Sequence, residues 1–299
     1  FSSSTDTPGF GFGKSLKIDC TTADGSPGSG DNMYLTQVIE GQNLQMMRKG
    51  TASAKTSTIA YWIKSNKTGN YVVELWDRTN DRHVGKVATI SQADTWEKHV
   101  CNFPADTSGA LANTNARSIM VSWAFDSGSN FTSGTLPSAW GSRSDANRFV
   151  GTTLALGDST DNEVLITGIQ FEMGTYDSET MPPFKFEDAA TSLARCQRYL
   201  QIYTQPPLIG SANANNTMAR ASFSLVQEMR TGATATQSGT FSWFYSNSHQ
   251  PTSTAFSATY TDTNVFEADI TVSGTGMTAT HPCSVFQSGT ASLKLEAEL

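Results

Sequence analysis

Glycoside hydrolysis needs a pair of carboxylates about 5 to 10 Å apart, and this chain offers its acids singly. Asp126, Asp145, Asp158, Asp161, Glu163, Glu172 and Glu187 are scattered rather than stacked along one strand face. They read as solvated loop carboxylates. Within GDSTDNE, residues 157–163, Asp158, Asp161 and Glu163 offer oxygen ligands for a structural calcium. The run lacks the spacing and central glycine of an EF-hand loop, and an Asp-rich turn is the alternative reading. His99 and Cys101 stand two apart and share one strand face, a sketch of a base beside a nucleophile. No third orienting group or glycine-rich oxyanion turn accompanies them, and a packed strand histidine is the expected reading. The four cysteines, Cys20, Cys101, Cys196 and Cys283, form no C-x-x-C unit. They read as reduced, buried small hydrophobes rather than a zinc or redox site. GFGFGKS at 9–15 fails as a phosphate loop, because Pro8 stands where the first glycine belongs.

The aromatic residues carry more. Aromatic faces stack on sugar rings and also fill cores. Trp123 lies in the most apolar run and is expected in the core. Trp62 and Trp76 fall opposite the apolar faces of their strands, so each is a candidate glycan contact. Further on, Phe241, Trp243 and Tyr245 share a face that suggests a core or a trimer axis, leaving Phe244 as the outward glycan candidate.

These residues need elements to hold them. The chain has 299 residues, enough for one large β domain or two smaller ones. Its hydrophobic content is 37% and its charged content 16%, with serine, threonine, asparagine and glycine filling the difference. Such a composition favours a β-rich, loop-rich protein. The formal net charge of −7 argues against a general nucleic-acid-binding surface. No apolar run approaches the ~20 residues of a membrane-spanning helix. The first residue is Phe1 and no signal peptide pattern follows it, which predicts a processed or partial chain.

Short alternating runs recur at 16–20, 33–39, 57–64, 71–76, 83–90, 96–103, 117–125 and 164–173, parted by Gly, Asn, Asp and Ser clusters. That spacing predicts a β-sandwich. In the last run Leu165, Thr167, Ile169, Phe171 and Met173 are expected on one face. Pro182 and Pro183 then make an extended connection. Asp188 is placed to cap a helix, along which Leu193, Cys196, Leu200 and Tyr203 recur at helical spacing. Further strands are expected at 217–229, 240–245, 264–272 and 291–299. The last alternates strictly, with Leu293, Leu295, Ala297 and Leu299 inward, and reads as a charge-shielded edge strand or one that pairs with a neighbouring chain. The expected organisation is a linker at 1–13, a β-sandwich at 14–186, a connecting helix at 187–204 and a smaller β domain at 205–299.

The stretch ITGIQFEMGT…PPFKFEDAATSLARCQRY resembles a segment of many bacteriophage virion structural proteins, in which a TGVQLEVG strand leads through a PFE turn to a CQRYY helix. Thr167, Gly168, Gln170, Glu172, Gly174, Phe184, Leu193, Cys196, Gln197, Arg198 and Tyr199 carry the match. Leu200 stands for the second tyrosine, and Thr191 and Ser192 replace the usual acidic pair. SLKIDCTTAD, IEGQNLQMMRKGT, YWIKSNKTGNYVVEL, ADTWEKHVCNFPADTSG and GSNFTSGTLPSAW look like further blocks of that tail-fibre-like family, covering roughly residues 14–204. The resemblance implies an all-β chain: a jelly roll similar to carbohydrate-binding modules, a short helix, then a second, smaller β-sandwich. It also implies a non-enzymatic virion protein of the tail-fibre or spike type, a homotrimer on the phage particle surface. Its expected partners are other virion proteins and, through receptor binding, a host surface glycan; neither nucleic acid nor membrane insertion is expected. A head decoration or adaptor protein without a ligand is the alternative, and a polysaccharide depolymerase a more distant one.

Overall fold

Every alternating run of the first 185 residues becomes a strand. The strands are β1 (Ser2–Ser4), β2 (Ser15–Asp19), β3 (Asn32–Glu40), β4 (Ser57–Ser65), β5 (Gly69–Asp77), β6 (Arg82–Ile90), β7 (Glu97–Phe103), β8 (Arg117–Ser127), β9 (Gly141–Ser142) and β10 (Glu163–Met173). The computed structural model describes residues 1–212, 218–245, 248–250, 253–272, 281–286 and 291–298, with the backbone alone at 212, 242–245, 248–250, 253–261, 272, 285 and 286. The chain divides into two units, Phe1–Lys185 and Phe186–Glu298.

In the first unit one antiparallel sheet has the order β1-β2-β10-β4-β7 and the other β3-β8-β5-β6-β9. From β2 to β8 successive strands cross between the sheets, except for the β5–β6 hairpin. The pairings β2-β10-β4-β7 and β3-β8-β5-β6 are those of a jelly roll. Strand pleating sends alternate side chains into the space between the sheets. Ile59, Tyr61 and Ile63 of β4, Tyr71, Val73 and Leu75 of β5, and Ile119, Val121, Trp123 and Phe125 of β8 meet there, each at most 3% exposed.

The alternation of β10 is not uniform. Val164 and Ile166 enter the core, a bulge shifts the register between Thr167 and Gln170, and Phe171 and Met173 then face inward. The bulge inserts an extra residue and flips the parity, so Ile169, expected on one face with Phe171, is 42% exposed while Phe171 faces inward. Gly168 adopts φ +62° at the bulge, and a Cβ there would sit 2.6 Å from the Phe12 ring.

Residues 1–13 are not a free linker. β1 pairs with β2, and Asp6 accepts hydrogen bonds from Lys64 Nζ at 2.8 Å and Trp96 Nε1 at 2.9 Å. Phe12 packs edge-on against Phe184. The sequence pattern missed this segment because its contacts are made by single residues rather than by an alternating run.

The second unit begins with the helix Ala189–Gln197, capped as expected by Asp188, whose carboxylate accepts from the Thr191 amide at 3.0 Å. The helix stops there. Leu200 and Tyr203, expected on its face, lie in strand β11 (Leu200–Tyr203), where the ladder to the last strand captures the backbone. The remaining strands are β12 (Ile209–Ala212), β13 (Met218–Ser224), β14 (Thr234–Ser238), β15 (Ser242–Tyr245), β16 (Ser248–Gln250), β17 (Ser253–Thr261), β18 (Val265–Val272), β19 (Pro282–Phe286) and β20 (Ser292–Glu296). Among the described residues they form sheets β16-β15-β19-β12-β13-β18-β17 and β11-β20-β14. Ala219, Ala221 and Phe223 from the first of these sheets meet Leu293 and Leu295 from the second, which makes a second sandwich. β20 is the centre of its sheet, paired on both sides, and not an edge. Its inward set Leu293, Leu295 and Ala297 is buried as expected, while Leu299 lies outside the described residues.

Two charged clusters are buried in the first unit, one around Lys49 and one around Glu74. Lys49, 4% exposed, contacts Asp77 at 2.5 Å and Asp106 at 2.9 Å, and donates to the carbonyls of Ser108 and Gly109. Arg82 grips Asp106 with two bonds of 2.8 and 3.0 Å. Removing one partner of such a cluster strands a buried charge. Lys49→Ala should therefore lower stability by about 3 to 5 kcal/mol, read as a fall in urea midpoint; a loss below about 1 kcal/mol would contradict this.

Burial raises the Asp106 pKa, but bonds from Arg82, Lys49 and the Ser108 amide outweigh it and hold the carboxyl below its ordinary 3.8. A depressed folded pKa gives stability that is complete above the ordinary value and is lost as pH falls through the folded one. Asp106→Asn should accordingly flatten the acid limb of stability against pH below about pH 4, and an unchanged limb would refute the assignment.

Candidate functional site

The outward residues of the first unit make two aromatic surfaces, one on each sheet. On the sheet that holds β4, Trp62 points away from the core, flanked across the ladders by Lys98 of β7 and Thr167 of β10. Trp62 is not open. Phe10 stacks on it, with centroids 5.2 Å apart and planes at 21°. Asp6 positions the segment, held by Lys64 and Trp96, whose hydrogen bonds also lower its pKa. Phe10 is 74% exposed and has φ +53°, between Gly9 at +84° and Gly11 at +90°. A bulky residue in the left-handed region is strained, by about 1 kcal/mol. The two glycines bring the chain into that turn and hold the phenyl ring over the indole. The outer ring of the pair is therefore Phe10, which the sequence reading placed in a linker.

On the other sheet Trp76 points outward from β5. The guanidinium carbons of Arg143 and Arg78 lie 4.0 and 4.4 Å from its centroid, and that of Arg148 at 5.2 Å. These cations take the space over the ring that a sugar would need. The indole Nε1 donates to Asp81 at 3.2 Å. Beside it Glu74 is fully buried, gripped by Arg148 at 2.8 to 3.2 Å and by His83 Nδ1 at 2.9 Å. Arg143 and Arg148 arrive on the connection from β8 to β10, which folds over this face. Phe149 anchors it, wholly buried against Val72 and Ala124. Tyr34, 37% exposed, packs on Phe149 at 5.7 Å. Sequence reasoning found Trp76 but not the arginines or Tyr34. The one signal of the arginines is two charged runs, DRTNDRH and RSDANR, in a chain poor in charge.

The third candidate, Phe244, lies in β15 opposite Ser284 and His249; its side chain, like that of Trp243, lies outside the described residues. The weak calcium set does not assemble. Asp158 bonds Lys67 and Asn162, Glu163 pairs with Lys17, and the Asp161 carbonyl accepts from Asn66. The carboxylates of Asp158 and Glu163 are thus taken by different lysines. Among the described residues no group of His, Cys, Asp and Glu is arranged to hold a metal.

His99 and Cys101 do share a face, yet two tyrosines come between them in a buried chain. Tyr61 Oη lies 2.6 Å from Tyr71 Oη, which lies 2.6 Å from His99 Nδ1; His99 Nε2 lies 3.0 Å from Glu97. With Glu97 accepting from Nε2–H, Nδ1 accepts from Tyr71. Burial pushes both phenols well above their ordinary range and the Cys101 thiol up to about 11. A thiol so high is protonated at neutral pH and is no nucleophile. Trp123 is in the core as expected, 1% exposed.

Of the cysteines, Cys20, Cys101 and Cys283 are buried, and Cys283 is likewise pushed up to about 11 by burial; Cys196, on the helix, is exposed, against expectation. A helix with no buried residue leaves it in solvent.

No family model matches the chain, and no curated protein matches it. Among solved structures, the oxalate decarboxylase of Bacillus subtilis at pH 4.6 aligns at 10% identity over 94% of this chain and 75% of that one, with a TM-score of 0.12. A likeness at that level carries no argument about activity.

A thiol reagent at neutral pH should consume one thiol per folded chain, that of Cys196, and all four on unfolding. Rapid consumption of a second would contradict the burial of the others.

Proposed function

We propose that the protein is a non-enzymatic structural component of a bacteriophage virion, of the tail-fibre or spike type, that contacts a host-surface glycan through Phe10 on its Trp62 platform. The observation that carries the glycan reading is the presentation of Phe10. An exposed phenyl ring is held in a strained backbone conformation and seated on an indole, beside Lys64, Lys98 and Thr167. Strain of that kind persists where the surroundings over-determine it, and it concentrates at ligand contacts. A flat apolar ring bordered by amines and a hydroxyl is the chemistry that recognises a saccharide.

The virion assignment rests on the resemblance of residues 14–204 to the tail-fibre-like family, with which the jelly roll agrees. Assembly as a homotrimer and a place on the particle surface belong to the same proposal. A decoration or adaptor role without a ligand is the second reading, and the depolymerase reading would require turnover.

The test is an array of host surface polysaccharides with a reducing-sugar assay run in parallel. Binding without sugar release is expected for the wild type. Phe10→Ala should weaken it by about tenfold, the worth of one aromatic contact, with the urea midpoint unchanged. Sugar release would replace this reading with the depolymerase, and silence in both assays with the adaptor.

A further inference from the structure

Three guanidinium groups converge on one indole: Arg143, Arg78 and Arg148 at 4.0, 4.4 and 5.2 Å from the Trp76 centroid. Like charges this close repel unless something offsets them. Two have carboxylates: Arg148 grips Glu74, and Arg143 pairs with Asp145. Among the described residues neither Arg78 nor the exposed Arg117 has a carboxylate partner; besides the Trp76 ring, the side chain of Arg78 reaches the Met120 sulfur, at 3.8 Å. The Arg78 amide donates to the Ser118 carbonyl at 2.9 Å, which sets Arg78 beside Arg117; burial, then the charges of Arg117, Arg143 and Arg148, hold the Arg78 guanidinium below its ordinary range, and Tyr34 alone acts the other way. Nε of Arg143 is buried with no hydrogen-bond partner. Set against Glu74, Asp145 and Asp81, which accepts from the Trp76 indole, the four arginines leave this face one net positive charge in a chain of net charge −7, built on a rigid sheet and fixed by cation–π contacts.

We propose that this face is a second binding site, which takes a carboxylate-bearing saccharide: Arg78 and Arg117 hold the carboxylate and Tyr34 faces the sugar ring. The guanidinium fork matches a carboxylate with two parallel bonds, which an ammonium cannot do. Tyr34 supplies the exposed aromatic face, with Arg148 6.0 Å from its ring. Trp76 is then the platform for the arginines and not itself the sugar contact. The site lies on the opposite sheet from the Phe10 shelf and differs from it in requiring a charged ligand.

The test titrates the full chain with polygalacturonate and with its methyl ester, followed by tryptophan fluorescence. The acidic polymer should bind, with an affinity that falls as salt rises, and the uncharged ester at least tenfold more weakly. Arg78→Gln with Arg117→Gln should lower affinity for the acid at least tenfold. Both residues lie outside the buried Glu74 cluster, so the urea midpoint should not move. Phe10→Ala should leave this binding as it was, so loss of the Phe10 shelf and loss of this site are separable results. Equal binding of acid and ester, undiminished binding by the double variant, or displacement by inorganic phosphate at matched charge would overturn the proposal.

Discussion

Tyr61 belongs to one sheet of the jelly roll and Tyr71 to the other, and their hydroxyls meet 2.6 Å apart in the closed interior. Tyr61 also stands edge-on to Trp123 at 5.7 Å, and Tyr71 packs on Phe125. Two sheets can hold buried phenols only if each hydroxyl finds a partner, since an unpaired one costs about 1 to 3 kcal/mol. The pair satisfies itself and continues through His99 to Glu97, which accepts from Ser91 and Gln92. The polar line through an apolar core fixes the stagger between the sheets. Once that is set, pleating decides which residues of every strand face outward.

The outward faces inherit their positions from this core. Trp62 is outside because Tyr61 and Ile63 are inside; Trp76 and Glu74 are outside because Leu75 and Val73 are inside. Each sheet then receives a cover from elsewhere in the chain. The N-terminal segment crosses one face and seats Phe10 on Trp62. The connection after β8 crosses the other and delivers Arg143 and Arg148 to Trp76. A surface of indoles alone would stack neutral rings. The covers change that, replacing one indole by an exposed phenyl and surrounding the other with cations. The Phe10 shelf is thus the product of a segment laid over a sheet, whereas the second site takes Tyr34 and Arg117 from β3 and β8 and Arg78 from the end of β5, with the loop adding Arg143 and Arg148.

The departures from expectation share a cause. The parity of β10 flips because a bulge at Gly168 inserts a residue that no period-two pattern contains. The helix ends at Gln197 because Leu200–Tyr203 gains a ladder with β20, a partner some ninety positions on. The final strand looks like an edge, with charges at every second place, yet it is paired on both sides. Its charges face away from the core, as they would in any strand of an outer layer. In each case pairing between distant segments overrode what a local window favours.

By itself the sequence determined the all-β class, the eight jelly-roll strands and most of their inward faces. Those depend on alternation and turn residues, which are local properties of the chain. It also singled out Trp62 and Trp76 as outward indoles and Asp188 as a helix cap, for the same reason. What lies on those indoles, the burial of Lys49 between Asp77 and Asp106, and the order of the strands were decided only in the folded state. Phe10 and Trp62, or Arg143 and Trp76, stand more than fifty residues apart, and nothing in either neighbourhood encodes the other. Such contacts arise from closure of the sheets and the path of the loops over them, where non-local geometry selects among many locally equivalent chains.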